Sequence, residues 1–158
     1  MKINNLAVLF SMVFAITLTF TIPSYAQSAN PPAELEKLMQ QHQGKVVYLD
    51  FWASWCVPCR KSFPWMNTMQ EKYKAQGFVV ISINLDAEHS QAKQFLEEVA
   101  ADFTVIYDSK GLLARKFQLK GMPSSYLFDR QGQLTASHSG FNDKKKQLFE
   151  QEIKQALK

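Results

Sequence analysis

Cysteine and histidine are both scarce in this chain of 158 residues, and the scarcity narrows its chemistry. There are two cysteines, Cys56 and Cys59, and three histidines, His42, His89 and His138. Zinc takes four ligands, and the histidines show no paired spacing that would complete a set with two thiols, so a structural zinc site is disfavoured. Internal repeats, low-complexity runs and a sustained coiled-coil repeat are also absent. With 46% hydrophobic and 13% aromatic residues, that leaves one globular domain with its own core rather than a disordered tail, and a monomer as the default. Charge of one sign is not concentrated either. The net +4 comes from 18 Lys and Arg against 14 Asp and Glu, scattered except for Lys144, Lys145 and Lys146. So short a run reads as a solvated helix face, and no nucleic-acid partner follows from it.

What the first residues do carry is a long apolar run, Leu6 to Ile22, preceded by Lys2 and followed by Pro23, Ser24, Tyr25 and Ala26. Ser24 and Ala26 supply the small residues of a secretory cleavage site. The run is near the lower limit for a membrane-spanning helix, so a retained anchor is the alternative. The polar Ser11, Thr17, Thr19 and Thr21 favour cleavage after Ala26. Residues 1–26 are thus expected to be a signal peptide and residues 27–158 a single domain that works outside the cytosol. Gln27, not a cysteine, follows the cleavage site, which leaves no thiol there for lipid attachment.

Hydrophobic spacing predicts strands alternating with helices. Pro31 and Pro32 open a helix in which Leu35, Leu38 and Met39 share a face, and Gly44 ends it. Lys45 to Ala53 and Phe78 to Leu85 are near-continuous apolar runs, the pattern of strands buried on both faces. A helix is expected from Cys56 to about Gln76, kinked at Pro64, which cannot donate to the Arg60 carbonyl. Another is expected from Ser90 to Phe103, with Phe95, Leu96, Val99 and Phe103 inward. A short strand (TVIYD), a short helix (GLLARKF) and a hairpin (SSYLFD with LTASHSG) follow. The last helix is amphipathic, capped by Asn142, with Leu148, Phe149, Ile153 and Leu157 inward. This order implies an α/β sandwich with a central mixed sheet flanked by helices.

The cysteines then lie at the end of a buried strand, on the turn into a helix. Free N–H groups and the positive end of the helix dipole favour an anion there, so the Cys56 thiol should ionise readily, and the thiolate is the nucleophile. Pro58 occupies the first turn, where a missing N–H costs nothing. Arg60 and Lys61 add positive charge. As a stabilising staple the pair is poorly placed, since closing four residues is worth about 2 kcal/mol against about 3 for fifteen. Redox chemistry is the stronger reading. Asp50 interrupts the apolar run six positions before Cys56, and a carboxyl buried there would have its pKa raised and could relay a proton to or from Cys59.

The segment YLDFWASWCVPCRKSFP, Tyr48 to Pro64, resembles the active-site segment of the thioredoxin superfamily, and GMPSSYLFDRQGQL, Gly121 to Leu134, resembles its cis-proline loop and following hairpin. FVVISINLD with the helix after it is similar to the α/β insertion of the TlpA/ResA-like branch, which comprises exported thiol:disulfide oxidoreductases. The resemblance implies a thioredoxin fold with that insertion between the CxxC helix and the cis-Pro loop. It makes Cys56 the exposed attacking thiolate, Cys59 the buried resolving thiol and Pro123 the cis-proline. Trp55, Val57, Pro58 and Met122 become the substrate contacts, with Trp52 and Trp55 packed around the motif and Trp55 shielding the sulfurs. Asp50 matches the buried acid of thioredoxin itself, whereas Ser62 stands where the branch often has an acid. No cofactor is implied beyond the redox-active Cys56–Cys59 disulfide. The implied partners are exported cysteine-containing proteins, such as apocytochrome c, and a membrane thiol donor in the periplasm. Reduction is favoured over oxidation by Asp50, by the insertion and by the lack of a histidine next to Cys59. Two alternatives remain: a thiol oxidase or isomerase, and a Cu(I) site of Cys56, Cys59 and His138. The FVVISINLD segment also looks like peroxiredoxins, but their Thr-x-x-Cys setting is missing.

Overall fold

The computed structural model describes residues 30–158, so the segment expected to be a signal peptide, residues 1–26, lies outside the described residues. Helix α1, Pro31–Gln41, starts where Asn30 accepts a hydrogen bond from the Ala33 N–H and two prolines occupy the first turn. Strands β1, Val46–Trp52, and β2, Phe78–Asn84, are buried at every position. Helix α2, Val57–Tyr73, lies between them, contains Pro64 and ends in a 3-10 turn, Lys74–Gln76. Next come α3 (His89–Glu98), β3 (Thr104–Tyr107), α4 (Leu112–Lys116), β4 (Ser124–Phe128), β5 (Leu134–Ser139) and α5 (Asp143–Ala156). Asn142 caps α5 by accepting from the Lys145 N–H.

The strands form one sheet in the order β3-β2-β1-β4-β5. β1, β2 and β3 are parallel, whereas β4 runs antiparallel to β1 and β5 antiparallel to β4. Because successive side chains on a strand point to opposite faces, β1 supplies both layers of the core. Val46, Tyr48 and Trp52 pack with Phe63 and Met66 of α2, Phe95 of α3 and Phe149 and Ile153 of α5. Val47, Leu49 and Phe51 pack on the other face with Leu35 of α1 and Leu113 of α4. The result is the expected mixed sheet between helices. At the end of the sheet remote from the cysteines, Arg130 ties three elements together by donating to the carbonyls of Gly44, Gln76 and Leu157 at 2.9–3.0 Å. Among the described residues no helix is long and apolar enough to cross a membrane.

Two expectations need correction. The third helix ends at Glu98, with Val99 as its extended C-cap, rather than at Phe103. Asn67 of α2 donates to the Ala100 carbonyl and accepts from the Asp102 N–H, holding that stretch in a non-helical turn. Phe103 still reaches the core, 5.3 Å from Phe63 between ring centres. Leu148 is 49% exposed rather than inward. The row Phe149, Ile153, Leu157 fills the buried face of α5, and Leu148 is rotated about 100° from Phe149 around the helix.

Candidate active site

β1 carries the chain to the edge of the core, and three residues, Ala53 to Trp55, turn it into α2. Cys56 is the N-cap of that helix, in extended conformation, and its Sγ accepts from the Cys59 N–H at 3.3 Å. The two cysteines are joined in a disulfide, Cα atoms 5.3 Å apart. On reduction the same N–H and the helix dipole face the Cys56 sulfur and favour its thiolate. Cys59 is fully buried, and Cys56 keeps 5% of its surface, less than its implied role as an exposed thiolate suggests. The motif's outer rim is apolar and open: Trp55 is 68% and Val57 69% exposed, with Pro58 exposed beside them. Trp55 is thus turned largely to solvent rather than packed into the core. Trp52 alone packs inward, against Phe63 and Phe95 at 4.8 and 4.7 Å.

A second loop reaches the core layer that holds the cysteines. The Met122–Pro123 peptide is cis, Pro123 is buried, and its carbonyl accepts from the Gly140 N–H at 2.7 Å. Met122 packs against the hydrophobic cluster that contains both cysteines. Ser62 is also buried here, and its hydroxyl donates to the Cys59 carbonyl at 2.9 Å. Arg60 is engaged elsewhere, with Nη1 2.8 Å from Glu98 and the guanidinium over the Phe95 ring.

Asp50 alternates on β1 with Tyr48 and Trp52, so its carboxyl faces the α2 layer that holds the cysteines. It is 2% exposed, and its Oδ2 is buried without a hydrogen-bond partner. Burial alone holds this carboxyl well above the usual carboxylate range. In the unfolded chain the group ionises at its ordinary value, so between the two values the folded protein binds the extra proton. Stability contributed at Asp50 is thus lost as pH rises through that interval, each unit of displacement being worth about 1.4 kcal/mol. Asp50→Asn should therefore be more stable than the parent at neutral pH. Urea unfolding of the oxidised proteins should show the gap shrinking as pH is lowered towards about 4. A gap that does not change with pH would remove the buried charge as its cause.

One residue of the site escaped the sequence reading. Asp86, just past β2 and 2% exposed, accepts from the Ser54 N–H and hydroxyl and from Asn84 Nδ2 at 2.7–3.1 Å. It fixes the turn that presents Cys56. An Asn and an Asp two apart at the end of an apolar strand were its only signal. His138 lies apart from any metal set: it binds Glu152 Oε2 at 2.6 Å and stacks on Phe149. Among the described residues no three His, Cys, Asp or Glu side chains gather as potential ligands.

Comparison with known proteins agrees with this geometry. The Redoxin family profile matches residues 21–157. A thiol-disulfide oxidoreductase ResA of Bacillus thuringiensis subsp. konkukian (strain 97-27) is 32% identical over 112 residues, which are 71% of this chain and 64% of that protein. The chain thus spans less than two thirds of the length of such curated relatives. The crystal structure of a candidate thiol:disulfide interchange protein DsbE from Chlorobium tepidum superposes with a TM-score of 0.74 at 53% identity, covering 76% of this chain and 85% of that one. A thiol:disulfide interchange protein of the thioredoxin family from Chlorobium tepidum TLS gives 0.67 at 25% identity, covering 76% and 85%. With its Cys56–Cys59 pair seated at the start of α2, the chain belongs to the Redoxin family, within the ResA-like branch of the thioredoxin superfamily.

Proposed function

We propose that the protein reduces disulfides in exported proteins by thiol–disulfide exchange, outside the cytosol and fed by a membrane thiol donor. The observation that carries this reading is the Cys56–Cys59 pair at a helix N-terminus, with the partnerless Asp50 carboxyl on the sheet face below it. The Cys56 thiolate attacks one sulfur of a substrate disulfide, forming a mixed disulfide and expelling the other sulfur as a thiolate that takes up a proton. Cys59 then loses its proton to Asp50 and attacks Cys56 Sγ, which releases the reduced substrate. Two electrons pass to the substrate, and the Cys56–Cys59 disulfide remains; no other cofactor takes part. Trp55, Val57, Pro58 and Met122 offer apolar contact to an extended substrate, with Pro123 shaping the loop beside it. Asp50→Asn should slow exchange near neutral pH, because the resolving thiol loses its proton acceptor.

The reducing direction rests on the buried acid and on the lack of a histidine beside Cys59. Equilibrating the mature protein against dithiothreitol or glutathione mixtures tests it. A potential near or below that of thioredoxin, about −270 mV, is expected; one near about −120 mV would make the protein an oxidant. Apocytochrome c fits as a substrate class on family resemblance. A monomer suffices for the whole mechanism, since every residue named belongs to one chain.

A further inference from the structure

Only Ala53, Ser54 and Trp55 separate the end of β1 from the N-cap of α2, so the direction of that turn decides where the Cys56 sulfur lies. Backbone bonds hold both ends of the turn. The Trp52 carbonyl accepts from the Leu85 N–H at 2.9 Å, and the Ala53 carbonyl accepts from the Cys56 N–H at 3.1 Å. Its middle is held from outside. The Ser54 N–H is shared between the two Asp86 oxygens at 3.0 and 3.1 Å, and the Ser54 hydroxyl donates to Oδ1 at 2.9 Å. Asp86 is itself braced: its Oδ2 accepts from Asn84 Nδ2 at 2.7 Å, and its own N–H donates to Asn84 Oδ1 at 3.1 Å. Asn84 ends β2 in register with Trp52 of β1, and its carbonyl accepts from the Asp108 N–H at 2.8 Å. A carboxylate only accepts, and here a buried one gathers three donor groups. It ties the middle of the turn to the end of the parallel sheet, 32 residues further along the chain.

We propose that Asp86 is a positioning residue for thiol exchange: by clamping Ser54 it keeps the Cys56 sulfur on the N-terminus of α2, and so keeps the reduced thiol acidic enough to attack. This role rests on the nucleophilic part given to Cys56 above. The benefit of a helix N-terminus is confined to its first turn. There Cys56 Sγ meets the Cys59 N–H at 3.3 Å, and a rotation of the chain at Ser54 swings the sulfur away from it. Charge alone acts in the opposite sense. A carboxylate near a thiol disfavours the thiolate, so an Asp86 that worked only through its charge would make Cys56 less acidic, whereas the clamp makes it more so.

Two substitutions that remove the same charge separate these effects. In Asp86→Asn the amide oxygen accepts from the Ser54 N–H and from Asn84, and the amide nitrogen donates to the Ser54 hydroxyl, so the clamp survives. In Asp86→Ala it is gone. The pH dependence of iodoacetamide alkylation of Cys56 in the reduced protein, followed by peptide mass, reads the thiol midpoint. Asp86→Ala should titrate about one pH unit above Asp86→Asn, a tenfold loss of thiolate at a pH below both midpoints. The remaining charges around the motif cancel in this comparison: Asp50 of β1, Lys61 and the Arg60–Glu98 pair, Glu88 and His89 at the start of α3, and the His138–Glu152 pair. Equal midpoints, or a lower one in Asp86→Ala, would overturn the proposal. A residue that only stabilised the domain would change the urea midpoint and leave the thiol where it was. Ser54→Ala keeps the Asp86 charge and deletes the hydroxyl bond, and it should raise the midpoint above the parent's by a smaller amount. It decides the matter if Asp86→Ala folds poorly, an unmoved midpoint then counting against the clamp. Insulin reduction by the parent is a separate readout. Its absence would sink the proposed exchange while leaving the difference between the two Asp86 variants measurable.

Discussion

Cys56→Ser should reduce insulin disulfide cleavage to the rate seen without protein. A serine hydroxyl stays protonated at neutral pH, and the N–H that Cys59 directs at the Cys56 sulfur does not turn it into a nucleophile. Cys59→Ser behaves differently. Its first attack survives, but nothing resolves the adduct, so a mixed disulfide on Cys56 should build up and run as a larger species on non-reducing gels. The asymmetry follows from burial: Cys59 has no exposed surface and reaches only the sulfur next to it, whereas Cys56 borders the open rim of Trp55 and Val57. Multiple turnover in either variant would contradict the two-thiol cycle.

The largest effect on stability should come from Trp52→Ala. Trp52 is fully buried at the end of β1, touches Phe63 and Phe95 edge-on or tilted, and donates from Nε1 to Ser82 at 3.2 Å. Removing so large a side chain from the layer beneath the cysteines should lower the unfolding free energy by about 3–5 kcal/mol in urea titrations. Trp52→Phe should lose less, because it retains ring contacts and gives up chiefly the Nε1 bond, worth about 1 kcal/mol. A Trp52→Ala protein within about 1 kcal/mol of the parent would mean that the cavity collapses and that this layer is not rigid.

Much of the fold was legible because β1 and β2 are near-continuous apolar runs and α5 has an i, i+4 apolar row with an Asn cap. Those signals are local, and the structure agrees with them to within a residue or two. The errors arose where a distant side chain decides. Phe103 sits at helical spacing after Phe95, yet Asn67, far away in the sequence, holds the chain out of the helix there. Trp55 looked like packing material because tryptophan usually is, but the turn fixed by Asp86 faces it outward. The position of Asp50 could be read from its place in an apolar run. Its alignment with Ser125 and His138 could not, because register depends on a hairpin whose pairing shifts near Leu127 and Phe128.

The order of the strands also bears on how the chain finds its structure. The central strand β1 pairs on one side with β2, the next strand in sequence, and on the other with β4, so that Val47 meets Phe128. Completing the sheet means closing a loop of most of the domain. Such non-local pairing slows assembly more than any local step. The disulfide spans two intervening residues and shortens none of that search. Oxidised and reduced chains should therefore fold at nearly the same rate. Electron transfer and chain assembly are kept independent: cycling the sulfurs neither hastens nor delays formation of the domain that holds them.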